Sequence, residues 1–232
     1  MTLEVYPVAG IGRVAHGDDL ASLLAIALEP LQPRSGDVLV VTHKIVSKSE
    51  GSVRLIEGDE EEFKRRLVEE EAVSIVRRRG DLIIAETRHG FICANAGVDR
   101  SNTDPGTVVL LPEDPDRSAH RLRMRLQRHF GCELGVIISD TFGRPWRQGL
   151  TDVAIGLSGI EAIQDLVGTT DWSGRELEVT KIAVADELAA TADLVMGKAS
   201  GIPAALIRGY EGPRGEGRAR DLVRPPGEDL FR

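Results

Sequence analysis

The chain has 232 residues, 41% of them hydrophobic and 28% charged, which is enough apolar material for one large soluble domain with a substantial core. The formal net charge of −8 excludes duplex nucleic acid and anionic membrane surfaces as natural partners, but not a small anionic ligand held where cations gather in one cleft. No basic-then-apolar leader pattern and no apolar run of membrane-spanning length occurs, so no membrane partner is expected and the cytoplasm is the expected location.

In chain order, "LEVYPV" reads as a short strand. "DDLASLLAIAL" places Leu20, Leu23, Leu24, Ala27 and Leu28 on one helical face, with Asp18 or Asp19 as the cap. "DVLVVT" is a continuous apolar run, as expected of a strand covered on both faces. From Asp59 to Arg79 acids lead, three arginines close and Gly80 follows, an order that suits one charged helix with a solvated face. "LIIAE" and "FICAN" form a candidate hairpin around "TRHG", and "TVVLLP" a further strand. "DRSAHRLRMRLQRHFG" reads as a helix burying Leu122, Leu126 and Phe130, "ELGVIISD" as a strand, "VADELAATADLVMG" as a helix and "AALIRG" as a last strand. The tail "RPPGEDLFR" is expected to be irregular. Strand-like and helix-like runs thus alternate in an α/β or mixed α+β class, with no repeat and no linker. Cys93 and Cys132 lie in or beside apolar runs, form no CxxC pair and read as small buried hydrophobes.

Four segments carry candidate chemistry. "GIGRVA" at 10–15 mimics a dinucleotide fingerprint, but that fingerprint needs a helix opening inside the glycine loop, and the helical pattern starts only at Asp18–Asp19. A loop whose backbone approaches a ligand is the better reading. No Walker A sequence occurs. "THKIVSKSEG" gathers His43, Lys44, Ser47, Lys48 and Ser49 in a loop at the C-terminal end of a buried strand, where α/β sheets bind ligands and where ammonium groups suit phosphate oxygens. "NAGVDRSN" offers Asp99 and Asn102, read either as a turn-capping pair or as a hard-cation ligand with a neighbouring amide. In "GVIISDTFGRPWRQG", Asp140 and Thr141 follow an apolar strand, a natural Mg²⁺ or Mn²⁺ position when a nucleotide supplies the other ligands. Arg144 and Arg147 flank Pro145–Trp146 and could grip an anion through their fixed forks. The five histidines show no metal-ligand spacing, and no Ser–His–Asp set is legible.

Taken together, "VYPVAGIG", "GDVLVVTHKIVSKSEG", "CANAGVDRSN", "SDTFGRPWRQGLTDVAIGLSGI", "GRELEVTKIAVADELA" and "MGKASGIPAALIRG" resemble, in order and nearly end to end, the coenzyme F420-0:L-glutamate ligase family. Its members attach γ-linked glutamates to a deazaflavin. The resemblance implies an F420 γ-glutamyl ligase-like fold, distinct from P-loop and ATP-grasp ligases. It implies a single domain over residues 1–232, with no linker visible even if it is built from two interlocked subdomains, and a homodimer. It implies GTP as co-substrate, Mn²⁺ or Mg²⁺, often K⁺, and F420-0 and L-glutamate as partners. The reaction would phosphorylate the terminal carboxylate of F420-0, and the glutamate amine would then displace phosphate.

Carried over by position, the resemblance makes Asp99 and Asp140 metal-binding and, with Thr141, catalytic and metal-proximal. It makes Asn102, His43, Lys44 and Lys48 nucleotide contacts. Ile11, Gly12, Arg13 and Val14 become a first nucleotide loop, and Met196, Gly197, Lys198, Ala199, Ser200, Gly201 and Ile202 a second. Arg144 and Arg147 are candidates for anionic substrate. Some relatives carry an acid after "MG", where this chain has Lys198, and a lysine cannot replace a carboxylate as a metal ligand. Two rival readings are a dinucleotide-dependent oxidoreductase using "GIGRVA" and a deazaflavin-binding module without catalysis.

Overall fold

Apolar runs of four or five residues become the strands of one mixed sheet, and the polar segments between them become helices or a smaller outlying layer. The computed structural model describes residues 2–230. Its elements in order are β1 (Glu4–Pro7), α1 (Leu20–Leu28), β2 (Val38–Thr42), α2 (His43–Glu50), β3 (Val53–Leu55), α3 (Glu60–Glu71), β4 (Ala72–Arg79), β5 (Leu82–Thr87) and β6 (Ile92–Ala94). There follow β7 (Thr107–Val109), α4 (Pro115–Phe130), β8 (Gly135–Arg144), β9 (Arg147–Ser158), β10 (Gln164–Asp165), β11 (Lys181–Ile182), α5 (Val184–Met196) and β12 (Ala204–Arg208). No helix among the described residues is long and apolar enough to cross a membrane.

The main sheet has the order β1-β12-β2-β8-β9. Only β2 and β8 pair in parallel, from Val38 opposite Gly135 to Thr42 opposite Ser139. β12 runs antiparallel between β1 and β2. The C-terminal ends of β1 and β2 and the N-terminal end of β12 therefore share one edge with the middle of β8. The core around this sheet includes Leu24, Leu28, Val40, Ile137, Ile155, Leu188 and Leu206, packed from α1, α4 and α5. A second, separate cluster of Leu67, Val68, Ile83, Ala85, Val98, Val108 and Leu110 lies under α3, β5 and β7.

The helices and strands read from apolar periodicity are present. Asp19 is the cap of α1, accepting from the Ser22 amide, while Asp18 accepts from Ala15 in the preceding turn. Leu122 and Leu126 are buried in α4, with Phe130 partly buried at its end. β5 and β6 form the expected hairpin. The described part of the tail contains a single helical turn, Pro226–Glu228; Phe231 and Arg232 lie outside the described residues.

Four readings are corrected. The charged helix ends at Glu71, and Ala72–Arg79 is a strand paired with β5. The run Val73-Ser74-Ile75-Val76 is rich in β-branched residues, whose restricted χ1 suits a pleated strand better than a helix. Gly80, at φ +57°, then serves a hairpin turn rather than a helix stop. "THKIVSKSEG" is helix α2, not a loop. β8 does not stop at Asp140 but runs on to Arg144 and turns into β9. Finally, Cys93 is buried as expected, but Cys132 is only half-buried; both are free thiols. Residues 8–18 contain no helix, so "GIGRVA" lacks the helix a dinucleotide fingerprint requires and the oxidoreductase reading loses its support.

Gly156 on β9 shows how closely α4 is seated. A Cβ there would stand 2.5 Å from the carbonyl carbon and oxygen of Pro115. Gly156→Ala is expected to destabilise the protein by about 1–3 kcal/mol in urea unfolding, because backbone must move to admit the methyl. Unchanged stability would show that α4 is free to shift.

Candidate active site

The shared edge of the main sheet opens into a cleft of about 190 Å³. Its walls come from the loop after β1 (Gly12, Arg13, Val14), the start of α2 (Lys44, Lys48), Asn102, Thr141 on β8, and the loop leaving α5 (Met196, Gly197, Lys198, Gly201, Ile202). These segments meet because of local backbone bonds. The Val8 amide donates to Ala204 O at 2.9 Å and Gly17 to Ser49 O at 3.0 Å, which lays the first loop between β12 and α2. Thr42 donates to Pro203 O at 2.9 Å, tying the last loop to the end of β2. Gly12 at φ +69° and Gly197 at φ +61° take backbone conformations that side chains with a Cβ rarely adopt.

Helix α2 sorts its polar residues by the i, i+4 rule. His43 and Ser47 face inward, with Nδ1 3.3 Å from the Ser47 hydroxyl; both are fully buried. Lys44 and Lys48 turn to the cleft. Lys44 Nζ lies 2.7 Å from Asp99 Oδ2, and Lys48 Nζ donates to Asn102 O at 2.5 Å. On the other side the buried His43 Nε2 lies 3.3 Å from Asp140 Oδ1. Neighbouring residues of one helical turn thus each face one of the two aspartates.

Both carboxylates stay ionised. Burial works against Asp99, but Lys44 and the Ser101 amide and hydroxyl outweigh it and hold its pKa at about 2. Burial likewise opposes Asp140, and the charges of His43 and Lys44 with the Thr141 amide still keep it below the ordinary carboxylate range. Lys44 contacts Asp99 directly, and its charge also lowers the pKa of Asp140. Burial lowers the pKa of Lys48, with Arg13 and Lys44 adding to the effect against the charge of Asp104, to which Arg13 is bonded.

Two further acids stand in this region, one of them, Asp152, inside a long motif but not marked there as a site residue. Asp152 on β9 sits directly opposite Thr141 and is buried. Its oxygens accept from the Thr141 hydroxyl at 2.6 Å and from the Ser139 hydroxyl at 2.8 Å. Lys198 donates to the same Thr141 hydroxyl, and its Nζ is 3.9 Å from Asp152. Asp193, one turn before Met196 on α5, also lines the cleft; burial and the like charge of Asp152 raise its pKa, while Lys198 opposes the shift. A tight hairpin turn over "RPWR" would by itself put Thr141 opposite Leu150; the register shift between Gly143 and Arg144 brings Asp152 there instead, so the linear sequence does not reveal the pair.

The remaining candidates are placed differently. Ile11 is buried in the main core behind the first loop. Ser200 bonds back to Met196 O and accepts from the Ile202 amide, shaping its loop, while Ala199 is exposed. Arg144 and Arg147 face each other across the exposed tip of the β8–β9 hairpin, where Arg144 donates to Gln148 O at 3.1 Å; neither lines the cleft.

Among the described residues no three His, Cys, Asp or Glu side chains form a ready cage for a metal. Neither Asp99 nor Asp140 is among the residues lining the cleft; they are the carboxylates that could hold a hard divalent cation drawing its other oxygens from a phosphate chain and water. Thr141 fits less well, because its hydroxyl already serves Asp152 and Lys198.

The sequence profile of the F420-0:Gamma-glutamyl ligase family matches residues 10–209, which include every segment of this cleft. The chain belongs to that family. Family relatives are similar over most or all of their length. The coenzyme F420:L-glutamate ligase of Methanopyrus kandleri is 46% identical, with 100% of this chain and 98% of the relative aligned. The enzyme of the same name from Methanothermobacter thermautotrophicus is 43% identical over 100% of both chains. That of Methanocaldococcus jannaschii is 44% identical over 89% of this chain and 88% of its own.

The depressed pKa of Asp99 gives the Lys44 contact a pH signature. A carboxylate whose folded pKa is lowered stabilises the fold above its unfolded pKa, 3.8, and loses that contribution as pH falls toward 2. In urea unfolding, Lys44→Met should be less stable than wild type at pH 5–7, with the gap narrowing below about pH 4. A gap that stays constant on acidification would mean the Lys44–Asp99 charge contact contributes nothing.

Proposed function

We propose that the chain is a GTP-dependent ligase that joins L-glutamate to coenzyme F420-0 through a γ-linked amide. The observation that carries this reading is electrostatic. In a chain of net charge −8, Arg13, Lys44, Lys48 and Lys198 converge on one cleft, where Asp152 and Asp193 are the only acids among the described lining residues. Such a local reversal of field suits a polyanionic ligand of triphosphate character. The names of the family relatives support F420 and glutamate as substrates, and the resemblance of the cleft segments supports GTP as the phosphoryl donor.

A carboxylate is a poor acyl donor because oxide is a poor leaving group. Transfer of the γ-phosphoryl group to the terminal carboxylate oxygen of F420-0 releases GDP and creates an acyl phosphate. The glutamate amine then attacks the carbonyl carbon; the new C–N bond forms, the C–O bond to phosphate breaks, and the amine gives up a proton. Such chemistry needs charge neutralisation and alignment more than a protein nucleophile.

The residues divide this work. Lys48 and Lys198, with the backbone of the Gly12 and Gly197 loops, bind phosphate oxygens. Lys44 moves its charge from Asp99 to the phosphate chain as the nucleotide enters. Asp99 and Asp140 would hold Mg²⁺ or Mn²⁺, which neutralises phosphate charge when bound. Asp152 fixes the Thr141 hydroxyl and keeps Lys198 at the wall of the cleft.

The purified protein, given GTP, Mn²⁺, F420-0 and L-glutamate, is expected to release phosphate and form a product heavier by one glutamyl residue in the mass spectrum. Binding of F420-0 without phosphate release would leave only a carrier function. Lys198→Ala is expected to raise the KM for GTP about tenfold, the loss of one charged phosphate contact, with the KM for glutamate unchanged; an unchanged KM for GTP would remove Lys198 from the phosphate site.

A further inference from the structure

Beside the cationic cleft, β8 presents a second surface of different character. Side chains two apart on a strand share a face, so Phe142 stands on the same face as Asp140, one pleat repeat of about 7 Å further along. β6 and the residue before it run alongside. Cys93 is close enough to Asp140 that burial and this negative charge together push its thiol up to about 12. Two residues earlier, the ring of Phe91 meets that of Phe142 edge-on, with centroids 6.3 Å apart. Phe91 and Phe142 form one wall of a cavity of about 380 Å³, completed by Pro145, Val153 and Val223. Ligand pockets of this kind are mostly apolar, with few polar groups fixing orientation.

The one acid that faces this cavity from α5 is Asp186. Its Oδ1 accepts from the Ala154 amide at 2.9 Å, which anchors the carboxyl and leaves Oδ2 to meet a ligand. Burial raises its pKa, which favours a group that pairs with a neutral N–H or C=O over one that pairs with a cation. The cavity lacks the cationic lining of the phosphate cleft: Arg224, at its exposed rim, is its one basic residue among those described. It is therefore unsuited to hold a second phosphate chain and suited to a flat, largely apolar ring system with a polar edge.

We propose that the Phe91–Phe142 cavity receives the tricyclic deazaflavin ring of the acceptor, with Asp186 meeting the polar edge of that ring. The assignment rests on the ligase reading above and adds a location for the acceptor's head. The aromatic faces supply stacking and apolar contact. Phe142 and Asp140 stand on one face of β8 and Thr141, which lines the phosphate cleft, on the other, so the flexible arm of the acceptor has to pass from one face of this strand to the other. Recognition of the ring and activation of the carboxylate are then separate tasks on the two faces of one strand.

Two variants and one probe test the assignment. Val223→Trp fills the cavity from its half-buried rim, and Phe142→Ala removes its aromatic wall. Both are expected to raise the KM for F420-0 about tenfold or more, with the KM values for GTP and glutamate within about twofold of wild type. The free deazaflavin riboside, which lacks the phosphodiester arm, should inhibit wild type competitively against F420-0 and not against GTP, and should lose that inhibition in Val223→Trp. An unchanged KM for F420-0 in Val223→Trp, a rise in the KM for GTP instead, or a riboside that does not compete in wild type would overturn the assignment. Wild-type protein that fails to glutamylate F420-0 at all would instead overturn the ligase reading.

Discussion

Five residue pairs between β2 and β8, from Val38–Gly135 to Thr42–Ser139, decide where His43, Lys44, Asp140 and Thr141 stand. Because the strands are parallel and in this register, the residues that follow Thr42 and Ser139 emerge side by side. His43 and Lys44 begin α2 there, and Asp140 and Thr141 continue β8 there. A one-residue slip would turn Asp140 to the opposite face of the sheet and bring Thr141 to the contact with His43. The register is held by burial on both faces: Val38, Leu39, Val40, Val41, Val136, Ile137 and Ile138 are all fully buried. The apolar core thus specifies the position of polar groups that make no contribution to it.

The antiparallel insertion of β12 extends the same logic to the loops. With β12 between β1 and β2, the loop leaving β1 and the loop entering β12 are brought to the edge where α2 starts. Glycines let both loops turn sharply. The resulting cleft concentrates ammonium and guanidinium groups against a protein that is acidic as a whole, and each cation is restrained by an oxygen nearby: Arg13 by Asp104, Lys44 by Asp99, Lys48 by Asn102, Lys198 by Thr141. These contacts hold the cations in place; under the proposed function they would be exchanged for phosphate oxygens, at a lower net cost of binding because the side chains are already ordered.

Much of this was legible in the sequence where burial governs the pattern. The runs "DVLVVT" and "ELGVIISD" announce strands covered on both faces, and the helical faces of α1, α4 and α5 follow from apolar spacing. Segments whose structure depends on partners were harder. "THKIVSKSEG" looks like a polar loop because only Ile45 and Val46 of α2 are buried apolar groups, and the other buried positions carry His43, Lys44 and Ser47, which face polar partners such as Asp140 and Asp99. β4 hides in a charged stretch because it belongs to a small exposed sheet with little burial to impose alternation. At the site, the motifs contain Arg13, Lys44, Lys48, Asn102, Thr141 and Lys198, which line the cleft, but also Arg144 and Arg147, which do not. Asp152 lies inside one of them without standing out, because its contact exists only through its place opposite Thr141 on β9, and Asp193 reaches the cleft only because α5 packs on the main sheet.

The central claim is that Asp99 and Asp140 hold a divalent cation against the phosphates of a nucleotide. Diffraction at the manganese absorption edge, from crystals grown with Mn²⁺ and a non-hydrolysable GTP analogue, addresses it most directly. The expected result is an anomalous peak within about 2.0–2.6 Å of a carboxylate oxygen of each aspartate, with the triphosphate lying along Lys48 and Lys198. A nucleotide seated in the cleft with no anomalous peak between the two aspartates, or a peak bound elsewhere, would contradict it.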